Sequence, residues 1–199
     1  DYANIRGFEL TLDVRPNRYF SGGLTYTYSI AKGSASSETE QYPGTEESTQ
    51  LYFLDFDRTH VFNASGTYTI PDGEGPMLFD APIFENMDFS LIFKASSGAP
   101  YTPSGRDIGF VEKNSLRQPG IYNLDLMIGK EFEFSENFRL RLFAEILNLT
   151  DHRNILYVYG DTGDPDYTTV GNSSVEYMQD PSNYGPPRSV RLGFTMRFN

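Results

Sequence analysis

The sequence predicts an all-β fold, an antiparallel up-and-down transmembrane β-barrel segment of about seven strands. Three observations predict it. Residues 189–198 alternate strictly, with Val190, Leu192, Phe194, Met196 and Phe198 on one side of an extended chain and Ser189, Arg191, Gly193, Thr195 and Arg197 on the other. No run in the 199 residues approaches the ~20 consecutive apolar residues of a membrane-spanning helix, and the mean hydropathy of -0.46 is low for a helical membrane protein. Other alternating stretches precede the terminal one, and the connections between them sort by length.

Taken in order, the first strand covers 7–15, with Phe8, Leu10, Leu12 and Val14 against Glu9, Thr11, Asp13 and Arg15. Pro16, Asn17 and Arg18 supply turn chemistry, so the second strand at 20–30 (Phe20, Leu24, Tyr26, Tyr28 and Ile30 against Ser21, Thr25, Thr27 and Ser29) forms a hairpin with the first. A polar stretch with Glu38, Glu40, Glu46 and Glu47 reads as a long acidic loop. The third strand spans 60–70 and ends at Pro71-Asp72-Gly73. A connection with Met77, Leu78, Phe79, Ile83 and Phe84 leads to a fourth strand bearing Met87, Phe89, Leu91, Phe93 and Ala95 on one face.

After a second long loop, the fifth strand covers 121–133 with Leu124, Leu126, Ile128 and Phe132 on one face, and Lys130 there can snorkel toward lipid headgroups. Ser135-Glu136-Asn137 turns the chain into a sixth segment. Its Arg139-Leu140-Arg141-Leu142 alternation predicts a strand, although Leu140, Phe143, Ala144 and Leu147 also fit helical spacing. A Gly-, Asp-, Tyr- and Pro-rich connection at 151–187 precedes the terminal strand.

If the last strand runs toward the periplasm, as in bacterial barrels, connections 33–56, 99–120 and 151–187 fall outside and the turns near 16–19, 71–86 and 134–137 fall on the periplasmic side. Long loops outside and shorter turns inside is outer-membrane polarity. A soluble β-sandwich has no reason for it, and its strands average only ~5–6 residues.

Composition excludes other classes. The 14 Tyr and 16 Phe suit strands, and zero Cys removes disulfide frameworks and zinc-thiolate sites. A net charge of -11, with only 16 scattered basic residues, argues against nucleic acid as a partner. Asp161, Asp164 and Asp166 lack the oxygen run and closing Glu of a calcium loop, so they read as surface acids. His60 and His152, the only histidines, have no Cys or second His nearby and read as structural hydrogen-bonding groups. No nucleophile elbow or phosphate loop occurs, and Glu46-Glu47 lies in the acidic loop, so no enzyme, cofactor or metal site is expected. Asn63-Ala64-Ser65, Asn148-Leu149-Thr150 and Asn172-Ser173-Ser174 match glycosylation acceptors by chance, since two fall in predicted membrane strands.

Several stretches together resemble one family. Leu54-Asp55-Phe56-Asp57-Arg58-Thr59-His60-Val61-Phe62-Asn63 is similar to the Asp-Arg-x-His strand start of the C-terminal barrel of TonB-dependent outer-membrane receptors. Ser97-Gly98-Ala99-Pro100-Tyr101-Thr102-Pro103, Leu124-Asp125-Leu126 with Lys130, and Ala144-Glu145-Ile146-Leu147-Asn148-Leu149-Thr150 with Asn154 resemble further landmarks in the same order. Thr162-Gly163-Asp164-Pro165-Asp166 and Pro186-Pro187-Arg188 look most like the branch with a carboxypeptidase-regulatory-like N-terminal domain. The terminal strand resembles the signal read by the barrel-assembly machinery, carried by Arg191, Gly193, Met196 and Phe198, with Asn199 a departure from the usual final Phe.

The resemblance implies a larger barrel of about 22 strands with an N-terminal plug and a short TonB-contacting segment. About seven strands cannot close a barrel alone, because open edges in lipid leave backbone groups unpaired. Residues 1–199 are therefore expected to be the C-terminal portion of an outer-membrane barrel, with plug and N-terminal strands outside this chain or a second chain completing it. The implied function is energised nutrient uptake across the outer membrane of a Gram-negative bacterium, with a siderophore, glycan, peptide or vitamin as ligand. The implied partners are lipid, the assembly machinery, the plug and TonB. Arg15, Arg139 and Arg197 are expected to face the lumen near the periplasmic end, as solvated charges or as a basic ring against the plug. The acidic loops are expected to hold cationic or metal-bearing ligands, or divalent ions bridging lipopolysaccharide. A barrel serving secretion or adhesion, and a soluble β-sandwich binding module, are the alternatives.

Overall fold

A computed structural model describes residues 2–36, 50–77, 82–105, 109, 111–135, 137–170 and 174–198. Glu38, Glu40, Glu46 and Glu47 of the acidic loop, Leu78, Phe79, Glu136, Asn172, Ser173 and Asn199 lie outside these residues. Seven long strands form one antiparallel sheet: β1 (Ala3–Val14), β2 (Phe20–Gly33), β4 (His60–Ile70), β5 (Met87–Ser96), β8 (Ile121–Ser135), β9 (Phe138–Leu147) and β10 (Ser189–Phe198). Neighbours in the sequence of long strands are neighbours in the sheet, which is an up-and-down meander. Two-residue strands in the connections complete the count: β3 (Tyr52–Phe53) on β2, and β6 (Pro100–Tyr101) paired with β7 (Leu116–Arg117). The connection after β9 also holds one helical turn, α1 (Val175–Met178), and a 3-10 turn at Pro181–Asn183.

Register carries the membrane argument. One row of cross-strand partners runs Val14, Gly22, Gly66, Leu91, Leu126, Ile146, Val190 through all seven long strands. Because side chains alternate with period two, the apolar set of every strand lies on the same face as that row. A neighbouring row, Ser21, Thr67, Ser90, Met127, Glu145, Arg191, belongs to the other, mostly polar face. The apolar row begins on the last residue of β1 and ends on the second residue of β10, two strands that run the same way. A perpendicular row that climbs nearly a strand's length is the stagger a tilted barrel wall requires.

The apolar face is uncovered. Leu10 and Leu12 are each 60% exposed and Leu192 81%, and no second sheet packs on them among the described residues. At about 25 cal/mol per Å² of apolar surface, such a face in water would be costly, so lipid is its natural solvent and a β-sandwich is ruled out by geometry. Aromatic bands flank it. Phe132, Phe134, Phe138 and Phe198 stack in succession at 6.4, 5.5 and 5.0 Å at one end. At the other end Phe8, Tyr28 and His60 form a row, and His152 stacks on Tyr122 at 4.0 Å. Both histidines thus sit among rings, with His60 also hydrogen-bonded to the Tyr26 hydroxyl at 2.8 Å. Paired aromatic girdles of this kind mark the two interfaces of a membrane barrel.

Segment 138–147 is strand throughout, as the Arg-Leu alternation predicts, because Leu142 pairs with Phe194 on the apolar face while Phe143 turns to the polar face over Gly193. A Cβ on Gly193 would run into the Phe143 ring. The sheet does not close: β1 pairs only with β2, and β10 only with β9. Lys130, expected to snorkel toward headgroups, has a partner within the chain. Its ammonium donates to the Glu85 carbonyl and lies 5.3 Å from the Phe132 ring, so the β4–β5 connection supplies the partner that the sequence assigned to lipid.

Candidate functional site

The long connections gather at one end of the sheet, and there the chain builds a cap from polar side chains. Asp57, 2% exposed, follows β3 and replaces a ladder partner: its carboxylate accepts from the Ala31 amide at 2.6 Å and the Thr59 hydroxyl at 3.0 Å. The Arg117 guanidinium reaches the same carboxylate at 2.5 Å from the β6–β7 hairpin. Arg117 also donates to the Gly98 carbonyl and lies over the Phe53 ring at 4.6 Å. Lys113 lies over Tyr52 at 4.5 Å, and burial lowers its pKa. Burial, with the Asp55 charge adding to it, raises the Tyr52 phenol. Asn114, at φ 55, clamps the same pair of connections by donating its amide to Phe53 O and Asp55 Oδ1, both at 2.6 Å.

The connection after β9 uses the same device. Asn148, at φ 52, receives the His152 amide and donates to the carbonyls of His152 and Pro186. Asn154 accepts from the Tyr122 amide and donates to the Tyr122 carbonyl, each at 2.8 Å, so its side chain extends the sheet where backbone is lacking. Arg153 stacks on Tyr184 at 4.0 Å. The Tyr184 hydroxyl donates to Asp166 at 2.6 Å, and this bond to a carboxylate raises its pKa. Asp161 receives the Thr168 hydroxyl and the Thr169 amide and hydroxyl. Burial pulls the Asp161 carboxyl upward, but the Thr169 and Thr168 bonds outweigh it and lower its pKa. Asp161, Asp164 and Asp166 therefore serve their own loop, and no group of three metal-capable side chains occurs among the described residues. Tyr157, Tyr159, Glu176, Gln179, Asp180 and Asn183 line a cleft of about 440 Å³ in this connection.

At the opposite end the polar face carries a charged lattice. Arg141 pairs with Asp88 at 2.7 Å across the intervening β8, and Gly129 lies beneath, where a Cβ would strike both partners. Arg139 sits 3.3 Å from Glu133 and 3.9 Å from Glu131, and stands directly opposite Arg197 in the β9–β10 ladder. Of the three arginines named from the sequence, the structure brings Arg139 and Arg197 together. Arg15 lies just beyond β1, at the far edge of the sheet, so the three form no ring within this chain.

The terminal strand places Met196 and Phe198 on the apolar face opposite Leu140 and Phe138, and Arg191 and Gly193 on the polar face. Arg191 meets Glu145 at 3.4 Å. Sequence reasoning missed Arg117, Asn114 and Gly129, and the roles of Asp57 and Asn154 inside motifs it did quote. The signal for Asp57 was its place in the Asp-Arg-x-His stretch; nothing local marks its partner.

Comparison with known proteins gives one match: the family model described as TonB dependent receptor-like, beta-barrel covers residues 1–149, ending just after β9. No curated protein and no solved structure matches. β10 lies beyond the matched stretch, and its membership in the same wall is given by its full-length ladder with β9. With three quarters of its length matched and an open, one-faced sheet in the matching architecture, the chain belongs to the TonB-dependent receptor-like β-barrel family of outer-membrane receptors.

Proposed function

We propose that residues 1–199 form the C-terminal wall of a plugged outer-membrane transporter that takes up a siderophore, glycan, peptide or vitamin with energy supplied through TonB. The observation that carries this reading is the single seven-strand meander with one continuous apolar face, a charged opposite face and its long connections at one end. Its edges, β1 and β10, need partners in lipid, which the remaining strands of a larger barrel supply. The outer connections offer aromatic and carboxylate groups to a ligand, and the lattice around Arg139, Arg141 and Arg197 offers charge to a plug. Arg15 joins that lattice only if further strands bring β1 round toward β10.

Growth of the parent organism on candidate nutrients tests the reading. Deleting the gene, or deleting TonB, should remove growth on the same nutrient, whereas growth lost with the gene and kept without TonB points to a non-transport or passive barrel. Arg139→Glu with Arg197→Glu should raise passive permeability to small dyes if these charges hold a plug. Unchanged permeability assigns them to the lumen wall alone.

A further inference from the structure

Charge on the apolar, outward face of the long strands is rare and of one sign. The charged residues there are Arg6, Lys32 and Lys130, with no acid among them, in a chain whose net charge is -11. Lys130, at the short-turn end, is taken by the Glu85 carbonyl. Arg6 and Lys32 lie at the loop end, in the rows immediately beyond Phe8, Tyr28 and His60. Arg6 is directly opposite Ile30, and Lys32 is two residues along the same strand. Arg58 continues the β4 register toward Ile30, through the Ser29 amide bond to the Thr59 carbonyl. It alternates with Asp57 and Thr59, whose side chains bond to each other on the inner face, so Arg58 belongs to the outer one.

We infer that Arg6, Lys32 and Arg58 form a binding site for a phosphorylated lipid headgroup of the outer leaflet. This rests on the reading of the apolar face as membrane-embedded. A lipid-facing cation is costly at mid-membrane and tolerated at the interface, where an anionic headgroup is its complement. Arg6 and Arg58 flank Ile30 from its two neighbouring strands, about 10 Å apart at two inter-strand steps, and Lys32 lies on the diagonal from each at roughly 7–8 Å, which suits one multiply charged group rather than scattered ions. No acid neutralises them: none of the three is in an ion pair among the described residues. Their bonds leave donors free. Arg6 gives Nε to Asn4 at 2.9 Å, leaning toward the loop end, Arg58 gives one nitrogen to the Asp57 carbonyl, and Lys32 lies 4.5 Å from the Phe53 ring. Below them the Phe8, Tyr26, Tyr28 and His60 rings form a platform at the depth of the upper acyl chains.

Native mass spectrometry of the full-length receptor in detergent, titrated with lipid A carrying two phosphates, tests the site. The wild type should bind this lipid, and Arg6→Gln, Lys32→Gln and Arg58→Gln together should weaken it by on the order of 100-fold, about fivefold per charge. Enzymatically dephosphorylated lipid A should bind the wild type as weakly as the triple variant, and millimolar inorganic phosphate should not displace the bound lipid. Equal binding by wild type and variant, equal binding of the dephosphorylated lipid, or displacement by inorganic phosphate overturns the proposal. Arg6→Gln alone, at an exposed residue bonded only to Asn4, gives a smaller loss if the triple variant does not fold. Heat-modifiable gel migration separates the two readings: a wild type that never shows a folded band fails as a barrel, and a folded wild type indifferent to lipid A fails only as this site.

Discussion

The two ends of the sheet solve the same problem, connecting antiparallel strands, in opposite ways. Among the described residues, the buried apolar (Ala31, Tyr52, Leu54, Val158) and polar (Asp57, Asn114, Asn148, Asn154, Asn183) side chains all lie in or against the long connections, and the one buried position toward the other end is Gly129, within β8. The short turns at the opposite end hold none of these side chains. There, Asn17 closes β1–β2 by accepting the amides of Tyr19 and Phe20, and Arg18 and Glu74 pair with side chains 61% and 34% exposed. The difference shows what a membrane wall needs from its own chain. Strands satisfy their backbone by ladder bonds and their apolar face by lipid, so they need no core. Long loops have neither, and substitute buried carboxylates and amides for missing backbone partners.

The sharpest way to break that comparison is Asp57→Ala. It leaves Arg117, the Ala31 amide and the Thr59 hydroxyl without their common acceptor, and loss of one partner of a buried pair costs about 3–5 kcal/mol. Hydrogen exchange should rise across 50–59, 97–105 and 111–117 and stay unchanged in β8 and β9. Equal loss of protection in the strands would mean that the cap and wall are one cooperative unit.

The wall was legible in the sequence because lipid enforces period two on every strand, and the stretch read at 60–70 is β4. The cap was not. Asp57 and Arg117 are separated by 60 positions, and Asn114 reaches Asp55 across 59, distances over which no local pattern carries information. β3, β6 and β7 are two residues each, too short for periodicity to show. Alternation puts Arg139 and Arg197 on one face, where they stand opposite each other, but Arg15 lies beyond β1, and whether it meets Arg197 depends on closure and not on alternation.

Two smaller substitutions sharpen the other side of the comparison. Gly129→Val would drive its side chain into the Asp88–Arg141 pair, and overpacking of this kind costs about 1–3 kcal/mol. Thermal unfolding in detergent should register it, while exchange in the outer cap stays as in the wild type. Arg139→Gln removes partly exposed pairs with Glu131 and Glu133, worth about 0.2–1 kcal/mol. High salt should erase most of that difference.

The finest test lies within the cap, at Asp161. Its carboxyl titrates below the usual 3.8 because Thr168 and Thr169 bind the ionised form more strongly than burial penalises it. The folded value is lowered, so the unfolded loop takes up a proton first. The stabilisation is complete above the ordinary carboxylate range and is lost as pH falls through the folded value. Exchange of the Thr169 amide, bonded to this carboxylate, should therefore be pH-independent, after correction for intrinsic rate, from neutrality to about pH 5 and should rise below about pH 4. In Asp161→Asn that acid-triggered rise should vanish. If it persists, the loop opens through another group, and the cap's cohesion at this point comes from Asp166 and Tyr184 instead.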